Sequence, residues 1–266
     1  MIECVVNISE GRRLEVVELI ARTAGRELLD VHLDADHDRA VLTLVGEEAA
    51  RAVAAATVLS LDLRGHRGVH PRLGVLDVVP FVPLGSATLD DALEARDRFA
   101  VWAAEELGLP CFCYGPERSL PEIRRRAFRD LAPDWGPATA DPRTGAVCVG
   151  ARPVLVAYNL WLAEADLELA RSIAAQVRVP DVVRALGLAV GDQVQVSTNL
   201  LAPDEVGPAQ LYEQVAAQAR VARTELVGLA PRAVVESVPP GDRARLDLSA
   251  DRTIESRLAA RGLALS

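Results

Sequence analysis

The chain has 266 residues, of which half are hydrophobic and a quarter are charged, and its formal net charge is −9. This composition is typical of a globular protein and excludes the disordered and fibrous classes, while the negative charge argues against a nucleic-acid-binding surface, which is normally basic. The apolar runs are shorter than the ~20 residues of a membrane span, and the N-terminus lacks the basic lead of a signal peptide. We therefore expect a cytoplasmic protein without a nucleic-acid or membrane partner.

The first half of the chain predicts alternating strands and helices. A strand over 2–8 is followed by a helix with Leu14, Val17, Leu19 and Ile20 on one face, capped by Ser9 and stopped by Gly25. The further predictions are strands at 28–32 and 40–45, a helix at 47–60, a strand at 75–82 and a helix at 89–107. A hairpin between helices favours an α+β fold with helices on one face of a mainly antiparallel sheet, and a doubly wound parallel sheet is the alternative.

Residues 131–145 contain three prolines and two glycines, so we expect a loop or a domain boundary there. Beyond this connector the same plan returns, with a strand at 153–160, a helix at 164–177, strands at 185–190 and 193–200, and a helix at 209–222. The strand at 193–200 carries amide and hydroxyl side chains, which are either satisfied within the sheet or available to a ligand. The pattern alone leaves both readings open.

The segment 64–72 concentrates histidine and arginine in an otherwise acidic chain. His66 and His70 alternate there with Arg64, Arg67 and Arg72. Such a patch can bind an anion, and an imidazole can accept and return a proton near neutral pH. A metal site is the rival interpretation, but the glycines and the proline of the segment disfavour a helix and the arginines would repel a dication, so we expect no metal.

Four ordered motifs extend over nearly the whole chain. They are CVVNISEG at 4–11, GVHPRLGVLD at 68–77, GAR at 150–152 and QVSTNL at 195–200. Together they resemble the glutamate formiminotransferases, which also form the transferase half of formiminotransferase-cyclodeaminase. That family often has an acidic residue just before the His-Pro-Arg triplet, where this chain has Val69. It often has an asparagine just before the arginine that corresponds to Arg39, where this chain has Asp38.

The resemblance implies two ferredoxin-like αβ subdomains, at 1–148 and 149–266, with mainly antiparallel sheets, a folate-binding groove between them and a tendency to form homodimers. It further implies that a formimino group passes from N-formimino-L-glutamate to the co-substrate tetrahydrofolate, in histidine degradation and one-carbon metabolism. Transfer of a formyl group between glutamate and tetrahydrofolate, and a folate-binding protein without turnover, are the alternatives.

The same resemblance assigns the catalytic acid–base role to His70, and Asp34, Asp36 and Asp77 are equivalent candidates to orient its imidazole. Arg72 and Arg39 are candidates to hold carboxylates, and Thr198 and Asn199 are candidates to recognise the pterin or a carboxylate. The implied folate-binding segment lies within the connector. It consists of Gly136, Pro137, Ala138, Thr139, Ala140, Asp141, Pro142, Arg143, Thr144 and Gly145.

Overall fold

The structure, a computed structural model, describes residues 1–67 and 72–265. Two compact units divide the chain, Met1–Pro153 and Val154–Ala264. The subdomain limits expected from the sequence, 1–148 and 149–266, stay a prediction. None of the helices in the described ranges is long and apolar enough to cross a membrane.

The first unit alternates strands with helices. In chain order its elements are β1 (Ile2–Ile8), α1 (Leu14–Arg22), β2 (Leu28–Asp34), β3 (Arg39–Val45), α2 (Glu47–Ser60), β4 (Leu76–Pro83), α3 (Leu89–Leu107), β5 (Cys111–Tyr114), α4 (Leu120–Arg126) and β6 (Val147–Ala151). The described strands form one sheet in the order β2-β3-β1-β4-β6-β5. Strands β2, β3, β1 and β4 pair antiparallel, whereas β6 lies parallel to both β4 and β5.

The core of the first unit lies between this sheet and helices α1, α2 and α3. Cys4, Val6 and Ile8 alternate onto the core face of β1, as the period of two along a strand requires. Helix α3 begins where the sequence predicts, because Thr88 and Asp91 form a capping box, and it ends before the left-handed Gly108.

The start of helix α1 differs from the prediction that Ser9 caps it. The Ser9 amide donates to the Val75 carbonyl and its hydroxyl donates to the Gly74 carbonyl, both at 2.8 Å. Instead, the Glu10 carboxylate accepts from the Arg13 amide at 2.9 Å. The end of β1 is therefore joined to the chain that enters β4.

The predicted apolar face of α1 is only half correct. Val17 and Ile20 are buried, but Leu14 and Leu19 are largely exposed. The helix ends at Arg22, and Gly25 begins a short 3-10 helix rather than stopping α1.

The second unit is built on a fully antiparallel sheet among its described residues. Its elements are β7 (Val156–Leu162), α5 (Leu167–Val177), β8 (Val183–Val190), β9 (Gln193–Leu200), α6 (Pro208–Ala216), β10 (Val221–Val227), α7 (Arg232–Glu236), α8 (Pro240–Arg243) and α9 (Ile254–Ala260). The strand order is β10-β7-β9-β8. One face carries the apolar core, in which Tyr158, Leu160 and Val196 pack beneath α5 and α6.

The α+β class and the mainly antiparallel sheets are confirmed, and the doubly wound alternative is wrong. Seven of the elements given above were not predicted: β5, α4, β6, β10, α7, α8 and α9. The predicted helix over 209–222 ends at Ala216, and its last two residues already belong to β10.

Candidate functional site

The connector lies against both ends of the histidine-arginine segment. The Leu63 amide donates to the Arg143 carbonyl at 2.7 Å, on the N-terminal side of that segment. On the C-terminal side, the Val75 amide donates to the Thr144 carbonyl at 2.8 Å, and the Ala146 amide donates to Leu73 at 2.9 Å. His70 itself lies outside the described residues, but the chain on both sides of it is fixed to the end of the connector.

Two glycines permit this close approach. Gly145 has a φ of +73°, and a Cβ at this position would overlap the Leu73 carbonyl. A Cβ at Gly74, which forms a β-bridge with Gly145, would overlap the carbonyls of Thr144 and Ala146. Only glycine fits at either position.

The rest of the connector is mostly open to solvent. Residues 136–139 are exposed, as are Asp141 and Pro142, while Ala140 and Arg143 are half-buried and Thr144 is buried. The Asp141 carboxylate accepts from the Arg143 amide at 2.6 Å, and its carbonyl accepts from Gly145. The predicted folate-binding residues thus form an exposed arch whose C-terminal end is anchored beside the described flanks of His70.

The turn between β2 and β3 contains buried ionisable groups. Asp34 accepts from the His37 amide at 2.8 Å and pairs with the His37 ring Nδ1 at 2.5 Å. Burial raises the pKa of Asp34, but the hydrogen bonds from the ring and amide of His37 lower it by more, so the net shift is downward. Asp38 follows in a left-handed conformation with φ +49°.

Asp38 joins three segments of the first unit. Its side chain accepts from the Gly11 amide at 3.1 Å, at the end of β1. Its carbonyl lies 3.0 Å from His66 Nε2, and its carboxylate lies 3.3 Å from the same nitrogen. The hairpin turn, the chain after β1 and the segment before His70 are therefore held together at one residue.

Arg72 completes this group. Its Nη2 donates to the His37 carbonyl at 3.3 Å, and its Nη1 contacts the ring nitrogens of His66. Burial and the positive charge of Arg72 together lower the pKa of His66, which favours the neutral imidazole. We refer to Asp34, His37, Asp38, His66 and Arg72 as the Arg72 cluster.

Arg39, the other predicted carboxylate-binding residue, lies close to this cluster. It is the first residue of β3 and is opposite Asp34 in the hairpin register. Its positive charge contributes to lowering the pKa of Asp34. It also contributes to lowering the pKa of Arg72, for which burial is the larger cause. The assignment of Arg39 and Arg72 to carboxylate binding stays a prediction.

A buried ion pair fixes the chain that follows Arg72. Arg124 of α4 donates to both carboxylate oxygens of Asp77, at 3.3 and 2.6 Å. Asp77 also accepts from the Leu73 amide at 2.8 Å. The sequence offered Asp77 as one candidate to orient the His70 imidazole but did not indicate Arg124, since a single arginine in an Arg-rich helix carries no signal by itself.

Thr198 and Asn199 lie on strand β9 of the second unit. The Thr198 side chain is buried and its hydroxyl donates to the Tyr158 carbonyl at 2.6 Å, across the strand pair. The Asn199 side chain points to the opposite face and is exposed. Their assignment to ligand recognition stays a prediction.

The described residues contain no group of three or more histidine, cysteine, aspartate or glutamate side chains placed to hold a metal ion. The four cysteines are free and buried. Burial raises the pKa of Cys113 to about 12, so this thiol stays protonated at neutral pH.

Comparison with known proteins places these features in a family. Residues 1–152 match the family described as the N-terminal subdomain of the formiminotransferase domain. The chain is 33% identical over 266 residues to glutamate formimidoyltransferase from Streptococcus pyogenes serotype M1, which covers 87% of this chain and 89% of that protein. Glutamate formimidoyltransferase from Thermoplasma acidophilum is 33% identical over 268 residues, with 87% of this chain and 88% of that protein covered.

A longer relative is formimidoyltransferase-cyclodeaminase from Sus scrofa, which is 35% identical over 271 residues. The match covers 87% of this chain but 50% of that protein, so the chain spans about half the length of this relative. The family match extends over more than half of the chain, and the two shorter relatives are matched over most of their length. The chain therefore belongs to the formiminotransferase family.

Proposed function

We propose that this protein transfers the formimino group of N-formimino-L-glutamate to N5 of tetrahydrofolate. The observation that carries the proposal is its similarity to proteins named glutamate formimidoyltransferase, at 33% identity over 88–89% of their length. The reaction links histidine degradation to one-carbon metabolism. Tetrahydrofolate is the co-substrate.

The chemistry begins when N5 of tetrahydrofolate attacks the formimino carbon. A C–N bond forms and a tetrahedral intermediate results. The bond from that carbon to the glutamate nitrogen then breaks. His70 accepts the proton that N5 loses and returns it to the departing glutamate nitrogen, so the imidazole ends as it began.

The described surroundings of His70 support this assignment. The donor carries two carboxylates. Arg72 follows the segment that contains His70, and Arg39 is close enough for its charge to contribute to lowering the pKa of Arg72. Arginine binds carboxylates through paired hydrogen bonds. Holding both reactants near the imidazole lowers the entropic part of the barrier.

The finer assignments belong to the same proposal. The exposed arch of the connector, anchored by Gly145, binds the folate through residues 136–145. We further propose that the protein acts in the cytoplasm as a homodimer and needs no metal.

A single assay tests the activity. Purified protein is mixed with tetrahydrofolate and N-formimino-L-glutamate, and 5-formiminotetrahydrofolate is measured by its absorbance. We expect product from the wild-type protein and a much lower yield when N-formyl-L-glutamate replaces the formimino donor. Absence of product, together with tetrahydrofolate binding by calorimetry, would instead support a folate-binding protein without turnover. A higher yield from the formyl donor would support formyl transfer.

A further inference from the structure

The main chain that leaves Arg72 is held by acceptors and donors of two kinds. Residues 74 and 75 bond to neutral main-chain groups of the connector and to the main chain and hydroxyl of Ser9. The Leu73 amide instead donates to the Asp77 carboxylate at 2.8 Å. Because a carboxylate accepts a hydrogen bond more strongly than a neutral oxygen does, a charged acceptor holds the chain directly after Arg72.

The charge of this acceptor is compensated by helix α4. Asp77 is 2% exposed, and a buried carboxylate is costly unless it is paired. Arg124 donates to both of its oxygens, at 3.3 and 2.6 Å. Burial lowers the pKa of Arg124, but the charge and hydrogen bonds of Asp77 raise it by more, so the guanidinium stays charged. Arg124 thus supports the carboxylate that holds Leu73.

The packing of α4 directs Arg124 inwards. Ile123, the residue before it, is fully buried. Its side chain belongs to a small apolar cluster with Val78, Phe112 and Cys148. Arg125, the residue after it, is exposed. The helix is therefore anchored by Ile123 so that Arg124 reaches Asp77, while the next arginine faces solvent.

The position of the ion pair indicates more than a role in stability. A buried ion pair is often no more stabilising than an apolar pair of similar volume, whereas the Leu73 amide needs an acceptor. Asp77 also lies close enough to Arg72 to act on its charge: burial lowers the pKa of Arg72, and the Asp77 carboxylate opposes this shift. The pair therefore lies where it determines the path of the chain beside Arg72.

We propose that Arg124 is a positioning residue for the transfer reaction, which fixes the Leu73 amide through the Asp77 carboxylate and thereby the chain that leaves Arg72. The inference rests on the proposed function for the reaction whose rate it affects. Arg124 acts through Asp77 and Leu73, and it is assigned no contact with either substrate.

The test compares two changes at Arg124. Arg124→Gln removes the charge that compensates Asp77 and should lower the free energy of unfolding, so its activity is measured well below its melting temperature. There we expect kcat/KM for N-formimino-L-glutamate to fall about tenfold, because a small displacement near a reacting centre is costly. The affinity for tetrahydrofolate, measured by calorimetry without the donor, should change little. Arg124→Lys keeps the positive charge and should recover part of the loss.

Arg125→Gln is the matched control, because it removes the same charge from an exposed position on the same helix. It should retain the wild-type kcat/KM. If folded Arg124→Gln also retained it, or if its affinity for tetrahydrofolate fell by the same factor as kcat/KM, the proposal would be wrong. It would also be wrong if Arg124→Lys were as impaired as Arg124→Gln.

Hydrogen exchange of single amides, followed by NMR, separates this inference from the proposed function. In Arg124→Gln the Leu73 amide should exchange faster by a larger factor than the Val75 amide, which bonds to the Thr144 carbonyl. That result would support the positioning of the chain even in a protein without transferase activity. An unchanged rate at Leu73, or an equal increase at Leu73 and Val75, would overturn it.

Discussion

The two hairpins β2–β3 and β8–β9 close in different ways. Gly191 and Asp192 form the β8–β9 turn, both are exposed, and Gly191 supplies the left-handed conformation with φ +61° and open space around it. The β2–β3 turn instead buries Asp34, His37 and Asp38. Buried charge lowers stability unless it is paired, and a hairpin does not need it, so the β2–β3 turn has a role beyond reversing the chain.

The residue in the left-handed conformation shows the same contrast. Gly191 adopts it without steric cost, whereas Asp38 adopts it with a side chain and therefore with strain. The Asp38 carboxylate accepts from Gly11, and its carbonyl lies beside His66. The strain is thus compensated by contacts that assemble the surroundings of Arg72.

The largest effect on stability is expected where the first unit buries its ion pair. Asp77→Ala leaves the Arg124 guanidinium buried without its carboxylate and removes the acceptor of the Leu73 amide. The free energy of unfolding should fall by about 3–5 kcal/mol, as measured by urea denaturation.

An exposed pair in the second unit is the control for this prediction. Glu168 and Arg171 are both largely exposed, and Glu168→Ala should change the free energy of unfolding by no more than ~0.5 kcal/mol. If Asp77→Ala and Glu168→Ala lowered the free energy of unfolding by similar amounts, burial would not determine how much an ion pair contributes to stability in this protein.

A smaller effect should separate two left-handed glycines. Gly191→Ala meets open space and should cost about 1–2 kcal/mol for the left-handed backbone alone. Gly145→Ala has the same backbone penalty and in addition overlaps the Leu73 carbonyl. It should therefore lower the melting temperature further and reduce transfer activity, which Gly191→Ala should retain. If the two variants had the same melting temperature and the same transfer activity, the close contact between Gly145 and Leu73 would contribute to neither property.

The smallest effect concerns acid stability. Because the hydrogen bonds from His37 lower the pKa of Asp34 despite its burial, the ionised carboxylate stabilises the fold above its unfolded-state pKa of ~3.9. This stabilisation is lost as the pH falls through the lower value of the folded state. The wild-type melting temperature should exceed that of Asp34→Asn at neutral pH, and the difference should shrink below about pH 4. A difference that is constant with pH would show that the charge of Asp34 does not contribute.

Local signals predicted much of the fold but few of the contacts at the site. The capping box of Thr88 defines α3 within the sequence itself, and the bounds of β1, α2 and α3 are as predicted. Ser9 has an N-cap composition, yet it bonds to Gly74, 65 residues away. Strand β10 follows α6 so closely that its first residues were read as helix, because Val221 and Ala222 suit either element.

The site shows the same limit. The composition of 64–72 indicated the segment and Arg72, and the resemblance implies the role of His70, which stays a prediction because His70 lies outside the described residues. The choice of partners could not be predicted, because Asp34, Asp36 and Asp77 are equivalent in sequence and only the packing joins Asp34 to His37 and Asp77 to Arg124.

The most direct test of the account is the turnover of His70→Ala beside that of the wild-type protein, with tetrahydrofolate and N-formimino-L-glutamate. Loss of acid–base catalysis should reduce kcat by at least ~100-fold with little change in melting temperature, and His66→Ala should lose less. A His70→Ala variant as active as the wild type would remove His70 from the mechanism and contradict the account.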